Sequence, residues 1–324
     1  MTKRESVTSM PYWFGPVCGI LSAVLYTLAN IALRKCVGLD AYLVSAVKAA
    51  PTVLCLAPIV AFHLSGSSPA ESERRPHSLR RHPLWQFLVA SFFAQFYGNV
   101  AFQKALGYIG LAASVPITLG TLIVGGAVLG AILLGEPVGR RKPIAMVTLI
   151  LAVVVLSLPR SESALPDIAV SASGVLLGSV WAAISGLSYS FFGVTMRRTL
   201  HRGFKASQLM FISGLTGTVT LWAYTFVTVG GRVVGETTLS QWQMMSAAGM
   251  FNFLAFVAIT SALRHLPVVA VNLINASQVA MAAVAGVFLF EEPITVALMI
   301  GISLTFVGLL ILAKRTRAVV MTTD

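Results

Sequence analysis

Apolar stretches of about 20 residues, separated by short polar turns, fill this chain, and each is long enough to cross the ~30 Å hydrocarbon layer of a bilayer as a helix. The pattern predicts spans at 14–34, 41–62, 84–107, 110–134, 139–158, 173–196, 206–229, 241–263, 266–290 and 294–313. The breaks carry the usual punctuation: Gly107 and Gly110, Glu136-Pro137, Pro166, Gly230-Gly231, Pro267 and Glu292-Pro293. Asp40 stands where an N-cap for the second span is expected.

The pattern repeats. Trp85 to Leu106 aligns without a gap on Trp242 to Leu263, at an offset of 157 residues. Trp85/Trp242, Gln86/Gln243, Phe96/Phe253, Ala101/Ala258, Ala105/Ala262 and Leu106/Leu263 are identical pairs. With five spans in each copy, the second copy must enter the membrane from the opposite side, which is the inverted-repeat plan of alternating-access transporters. The expected fold is therefore all-α and integral to the membrane, with ten transmembrane helices in two inverted five-helix repeats. The first repeat covers 14–158, including a cytoplasmic loop at 63–83, and the second covers 173–314.

Composition sharpens this reading. Hydrophobic residues make up 56% of the chain and charged residues 10%, against about 25% charged in a soluble domain. Mean hydropathy is +0.84. Such a chain cannot cover itself with a solvated surface. The net charge of +12 would suggest nucleic acid in a soluble protein, but here the basic residues segregate to one side of the spans. If the termini are cytoplasmic, only Arg34, Lys35, Lys104, Arg160 and Arg232 fall in outside segments and Lys48 within a span; the rest lie inside. No nucleic-acid partner is expected, since no aromatic-interleaved basic patch accompanies the charge. Cys18, Cys36 and Cys55 lie in or beside apolar stretches without metal-ligand spacing and read as packing residues. The first apolar stretch runs on to Leu33, too long for a signal peptide's apolar core, and reads as a retained span.

Polar side chains inside a span are costly unless they pair or face water. Gln95, Asn99 and Gln103, spaced i, i+4, i+8, form one stripe of the third span; their counterparts in the repeat are Asn252, Phe256 and Thr260. The first span offers Tyr26, Asn30 and Arg34, and the sixth offers Trp181, Ser185, Tyr189 and Phe192. Asn272, Asn275 and Gln278 share one face of the ninth span, opposite apolar counterparts in the fourth. Lys48 is the one basic residue well inside a span, where an ammonium attracts a carboxylate or phosphate or else snorkels to the surface. The candidate substrate contacts are thus Tyr26, Asn30, Lys48, Gln95, Asn99, Gln103, Trp181, Tyr189, Asn252, Asn275 and Gln278. Interhelical hydrogen bonding is the plainer role open to each. Glu136, Glu291 and Glu292 lie at helix ends and read as structural, capping turns or meeting cations. Gly126-x-x-x-Gly130 permits close helix contact, within one subunit or across a homodimer. The five histidines sit in loops or at span ends, no metal or nucleophile constellation is visible, and no cofactor is expected.

Leu134-Gly135-Glu136-Pro137 closes the fourth span and Phe290-Glu291-Glu292-Pro293 the ninth, each followed by a glycine-containing span. This Glu-Pro junction at equivalent points of a five-plus-five repeat resembles the drug/metabolite transporter superfamily, specifically proteins with two EamA-type domains. The resemblance implies ten helices around a central cavity and transport, often export, of small polar metabolites. Many such proteins carry an Arg in the second span, where this chain has Lys48, so bidentate recognition is not implied. The expected function is a secondary transporter, an exporter of a small polar or amphipathic metabolite such as an amino acid, in a bacterial inner membrane with both termini cytoplasmic. A membrane receptor or scaffold that moves nothing, and behind it an intramembrane enzyme, are the alternatives.

Overall fold

A computed structural model describes residues 13–65, 78–135, 141–158, 172–266, 271 and 274–313. Every described element is helical. Helix α1 is Phe14–Lys35, α2 Ala41–Ser65 and α3 Ser78–Phe92, which runs through a widened π-helical turn at Phe93–Gly98 into α4, Asn99–Leu134. Then come α5 (Arg141–Leu156), α6 (Ala172–His201), α7 (Ala206–Tyr224, with a π-helical end at Thr225–Val229), the short α8 (Gly231–Glu236), α9 (Leu239–His265), α10 (Ser277–Phe290) and α11 (Val296–Ala313).

Among the described residues, six helical stretches are long and apolar enough to cross a membrane: Phe14–Lys35, Ala41–Phe62, Leu84–Leu134, Ala172–His201, Ala206–Val229 and Leu239–Ala262. Pro143–Leu156, Ser277–Phe290 and Val296–Ile311 are shorter apolar helices. Large apolar side chains such as Leu54, Phe62, Ile132, Val219 and Phe288 project from them into the surroundings. On a soluble protein such a surface would aggregate; in lipid it is the expected exterior. The chain is an integral membrane protein.

The 51-residue stretch Leu84–Leu134 would be about 75 Å long as one rod, far more than one crossing. It breaks at Gly110, whose φ of 74° and ψ of −177° are not helical. Gly107, the other expected turn residue, stays helical. Asp40 caps α2 as its position predicts, its Oδ1 accepting from the backbone N–H groups of Tyr42 (3.0 Å) and Leu43 (2.9 Å).

The ends of α4 and α10 match. Each stops on a residue in the left-handed conformation, Gly135 (φ 66°) and Glu291 (φ 53°), whose N–H bonds the carbonyl of a glycine five residues earlier, Gly130 and Gly286. Glu136, the first of the paired Glu-Pro glutamates, lies outside the described residues, as do Asn272, Pro267 and most of the loop expected at 63–83.

Packing joins the two halves throughout. α1 lies against α9, α6 against α3 and α4, α2 against α7 and α9, α5 against α11, and α4 against α10. One apolar cluster unites Leu33, Val44, Val47, Phe102, Leu111, Met245 and Ala282. Another, further along the same helices, unites Leu56, Phe87, Met196, Leu209 and Phe253. Between these two clusters the helices bury Lys48, Thr52, Ser91 and Asn99 among small apolar residues.

Candidate functional site

The polar layer is built where α2, the α3–α4 junction, α6 and α7 meet. On α2 it falls between Val47 and Leu56, and on α3–α4 between Phe87 and Phe102, with an apolar cluster on either side. Lys48 is only 7% exposed. Its Nζ donates to Asn99 Oδ1 at 3.0 Å. Tyr189 donates its hydroxyl to the same oxygen at 2.6 Å. Asn99 Nδ2 donates to Gln95 Oε1 at 2.8 Å, and Gln95 Nε2 donates onward to Ser213 Oγ at 2.9 Å. Five side chains from four elements thus form one chain of hydrogen bonds in an apolar surrounding, where each bond is strong and each unmade one costly.

Backbone design brings these groups together. The π-helical turn at Phe93–Gly98 lies beside Asn99, and such widened turns occur often at functional sites. Gly217 of α7 lets that helix approach Gln95, since a Cβ there would come within 2.8 Å of Gln95 Cβ. Gly249 of α9 does the same for α2, where a Cβ would meet the Lys48 carbonyl at 2.7 Å.

The structure places the other expected contacts as follows. Gln103 is buried, but its Nε2 donates to the Leu33 carbonyl of α1 at 3.1 Å and does not join the Lys48 chain. The stripe read from sequence therefore divides: two members meet α6, α2 and α7, and the third turns to α1. Tyr26 is half-buried on α1. Asn30 and Asn252 are half-buried, with no side-chain hydrogen bond among the described residues. Asn275 accepts from Gln278 Nε2 at 2.8 Å, so these two pair with each other at the start of α10.

Trp181 is partly buried, and its ring carries Lys104 Nζ at 4.6 Å from the centroid; Tyr42 faces the same ammonium at 5.7 Å. Sequence reasoning counted Lys104 with the outside segments and not among the substrate contacts. It is half-buried within α4, held by aromatic faces. Its position beside Gln103, two turns before the Gly110 break, was the available signal. Ser213 gave none, because a lone serine in an apolar helix looks like any packing residue.

A second polar cluster involves Glu292, which is 8% exposed. Its Oε1 accepts from Arg34 Nε at 3.1 Å and from the backbone N–H of Leu111 at 2.6 Å, and its Oε2 accepts from the Ala112 N–H at 2.8 Å. The carboxylate thereby caps the helix that restarts after Gly110, while Arg34 occupies the C-terminal turn of α1. Both charges complement their helix dipoles. This is the capping and cation-meeting role expected of the glutamate.

Residues 176–314 match the EamA-like transporter family. No curated protein matches the chain. A protein of known crystal structure shares the fold at a TM-score of 0.60 and 16% identity, over 95% of this chain and 99% of its own.

Proposed function

We infer that this chain, a drug/metabolite transporter superfamily member by its EamA-like residues 176–314, is a secondary transporter of a small polar or amphipathic metabolite, such as an amino acid, working as an exporter by alternating access. The observation that carries this reading is the Lys48–Asn99–Gln95–Ser213 chain with Tyr189, buried near the middle of apolar helices. Transporter sites lie there, between the two repeats.

Several features support ten spans in two inverted repeats, 14–158 and 173–314. Dividing Leu84–Leu134 at Gly110 and adding the three shorter apolar helices brings the apolar segments to the expected set. The matched stops at Gly135 and Glu291 repeat the sequence duplication in backbone form. Exchange of the halves by a pseudo-two-fold axis turns the α1–α9 contact into the contact of α6 with the α3–α4 junction. It carries the α2–α7, α4–α10 and α5–α11 contacts onto themselves. The candidate substrate contacts are Lys48, Gln95, Asn99 and Tyr189 at the centre, with Tyr26, Asn30, Gln103, Trp181, Asn252, Asn275 and Gln278 around it. Both termini are cytoplasmic in this reading, and a bacterial inner membrane is the setting.

The test is counterflow in proteoliposomes loaded with amino acids and related metabolites. Exchange by the intact chain that falls at least tenfold in Lys48→Ala and Asn99→Ala is the expected result. Exchange unaffected by either substitution would remove the central site from the mechanism.

A further inference from the structure

From the charge balance of the central helices we infer that the substrate is a small organic anion, whose anionic oxygens sit on Lys48 after passing Lys104. This rests on the transport reading above and narrows its substrate class.

An ammonium has three donors. Lys48 spends one on Asn99, and no other side chain or carbonyl among the described residues accepts from it. An amide oxygen shared with Tyr189 solvates a buried ammonium but does not neutralise it. Every carboxylate among the described residues is occupied elsewhere or lies at a helix end. Asp40 accepts from backbone N–H groups, Glu292 is taken by Arg34 and the start of a helix, Glu236 pairs with Arg232, and Glu291 is exposed at the end of α10. Among the described residues no carboxylate serves as counter-ion to Lys48.

Lys104 adds a second cation on the same helices. Lys48 and Tyr42 are six residues apart on α2, Asn99 and Lys104 five apart on α4, and Trp181 and Tyr189 eight apart on α6. At ~1.5 Å of rise per residue, the two ammonium levels are roughly 8–12 Å apart along the bundle. The lower level is Lys48, Asn99 and Tyr189; the upper is Lys104, Tyr42 and Trp181. The aromatic faces hold Lys104 without cancelling its charge, because a ring quadrupole attracts a cation but carries no net charge.

The same arrangement disfavours cations and simple zwitterions. A substrate ammonium would add a third positive charge beside Lys48 and Lys104. No carboxylate among the described residues lies at either level to offset that charge, and Trp181 and Tyr42 each already receive Lys104 on a ring face. A carboxylate or phosphate monoester meets two ammonium groups there. Its arrival supplies the missing charge, so Lys48 binds it with a desolvation cost already met in the empty protein.

The experiment is counterflow in proteoliposomes made with the full chain, run in parallel arms: dicarboxylates (malate, glutamate), a phosphate monoester (glycerol 3-phosphate), neutral zwitterions (alanine, leucine) and cations (lysine, choline). Exchange confined to one or both anionic arms is expected, and the arm that responds identifies carboxylate or phosphate as the anionic group. Lys48→Gln should abolish it. Lys104→Gln should raise KM for the anion about tenfold with kcat changed less than threefold, and Lys104→Arg, which keeps the charge over the rings, should restore KM to within threefold of the intact chain. Exchange confined to zwitterions or cations overturns the anion inference and leaves transport standing. So does a Lys104→Gln protein that exchanges anions with unchanged KM. Exchange of no solute in any arm overturns the transport reading and this inference with it.

Discussion

Asn99 carries two hydrogen bonds on one side-chain oxygen and gives a third from its nitrogen, so no apolar replacement can be neutral. Asn99→Leu leaves the Lys48 ammonium and the Tyr189 hydroxyl without their acceptor. A loss of about 1–3 kcal/mol is expected from thermal or denaturant unfolding in detergent. Tyr189→Phe removes only one donor from an oxygen that keeps Lys48, and should cost about 1 kcal/mol or less. An equal loss in the two variants would contradict the hub role of Asn99. Glu291 offers the reverse sign. It is the one non-glycine residue with positive φ among the described residues, at a position where the first half uses Gly135. Glu291→Gly should therefore stabilise the protein by about 1 kcal/mol, read as a raised unfolding midpoint. At this scale the sequence was partly legible. Lys48, Gln95 and Asn99 stood out because ionisable or amide groups in apolar helices are expensive, and Tyr189 because it shares a face with Trp181, Ser185 and Phe192. Their pairing did not, because whether Gln103 follows Asn99 onto α6 or turns to α1 depends on the packing of neighbouring helices.

Elements were easier to read than contacts. Hydropathy placed α1, α2 and α7 nearly to the residue, since a span's length is set by the bilayer and its ends by turn residues. It also marked the boundary inside Leu84–Leu134, which a helix-length argument alone requires. It could not say that a carboxylate 181 residues further along the chain closes that boundary. The Gly110 break depends on that partner. A Cβ at Gly110 would fall among the Glu292 carboxylate atoms, at a φ that L residues avoid. Gly110→Ala should cost about 2–3 kcal/mol, and Glu292→Gln about 2 kcal/mol, since a neutral amide keeps one acceptor but sets an NH2 against a backbone N–H or Arg34. In a double-mutant cycle, Glu292→Gln and Gly110→Ala should cost clearly less together than the sum of the two, because both break the same contact. Strict additivity would show that they act separately.

For the molecule as a whole, the duplication is the strongest statement available, and it is open to a direct check. Single cysteines placed at Trp85 and Trp242 in a cysteine-free background should label from opposite faces of the membrane with an impermeant maleimide. Labelling from one face would end the inverted-repeat reading. The aligned tryptophans already differ in setting: Trp85 is exposed, whereas Trp242 stacks on Trp222 with centroids 6.4 Å apart and planes 11° apart. Duplicated sequence has thus not kept duplicated surroundings. The polar layer shows the same divergence, since Gln95 and Asn99 face apolar or unpaired counterparts in the second copy, which is why symmetry alone did not reveal the site.

Translation runs in one direction, and the helix that begins at Leu111 emerges long before Glu292 exists. Until the ribosome has made the second copy, the Leu111 and Ala112 amides have no carboxylate to receive them. The nascent first half must therefore wait in the bilayer in an unfinished form, α4 beyond Gly110 free to shift, until Glu292 arrives to pin it. A chain stopped after residue 290 would leave that start permanently bare, and membrane quality control should clear it even though every earlier segment had inserted.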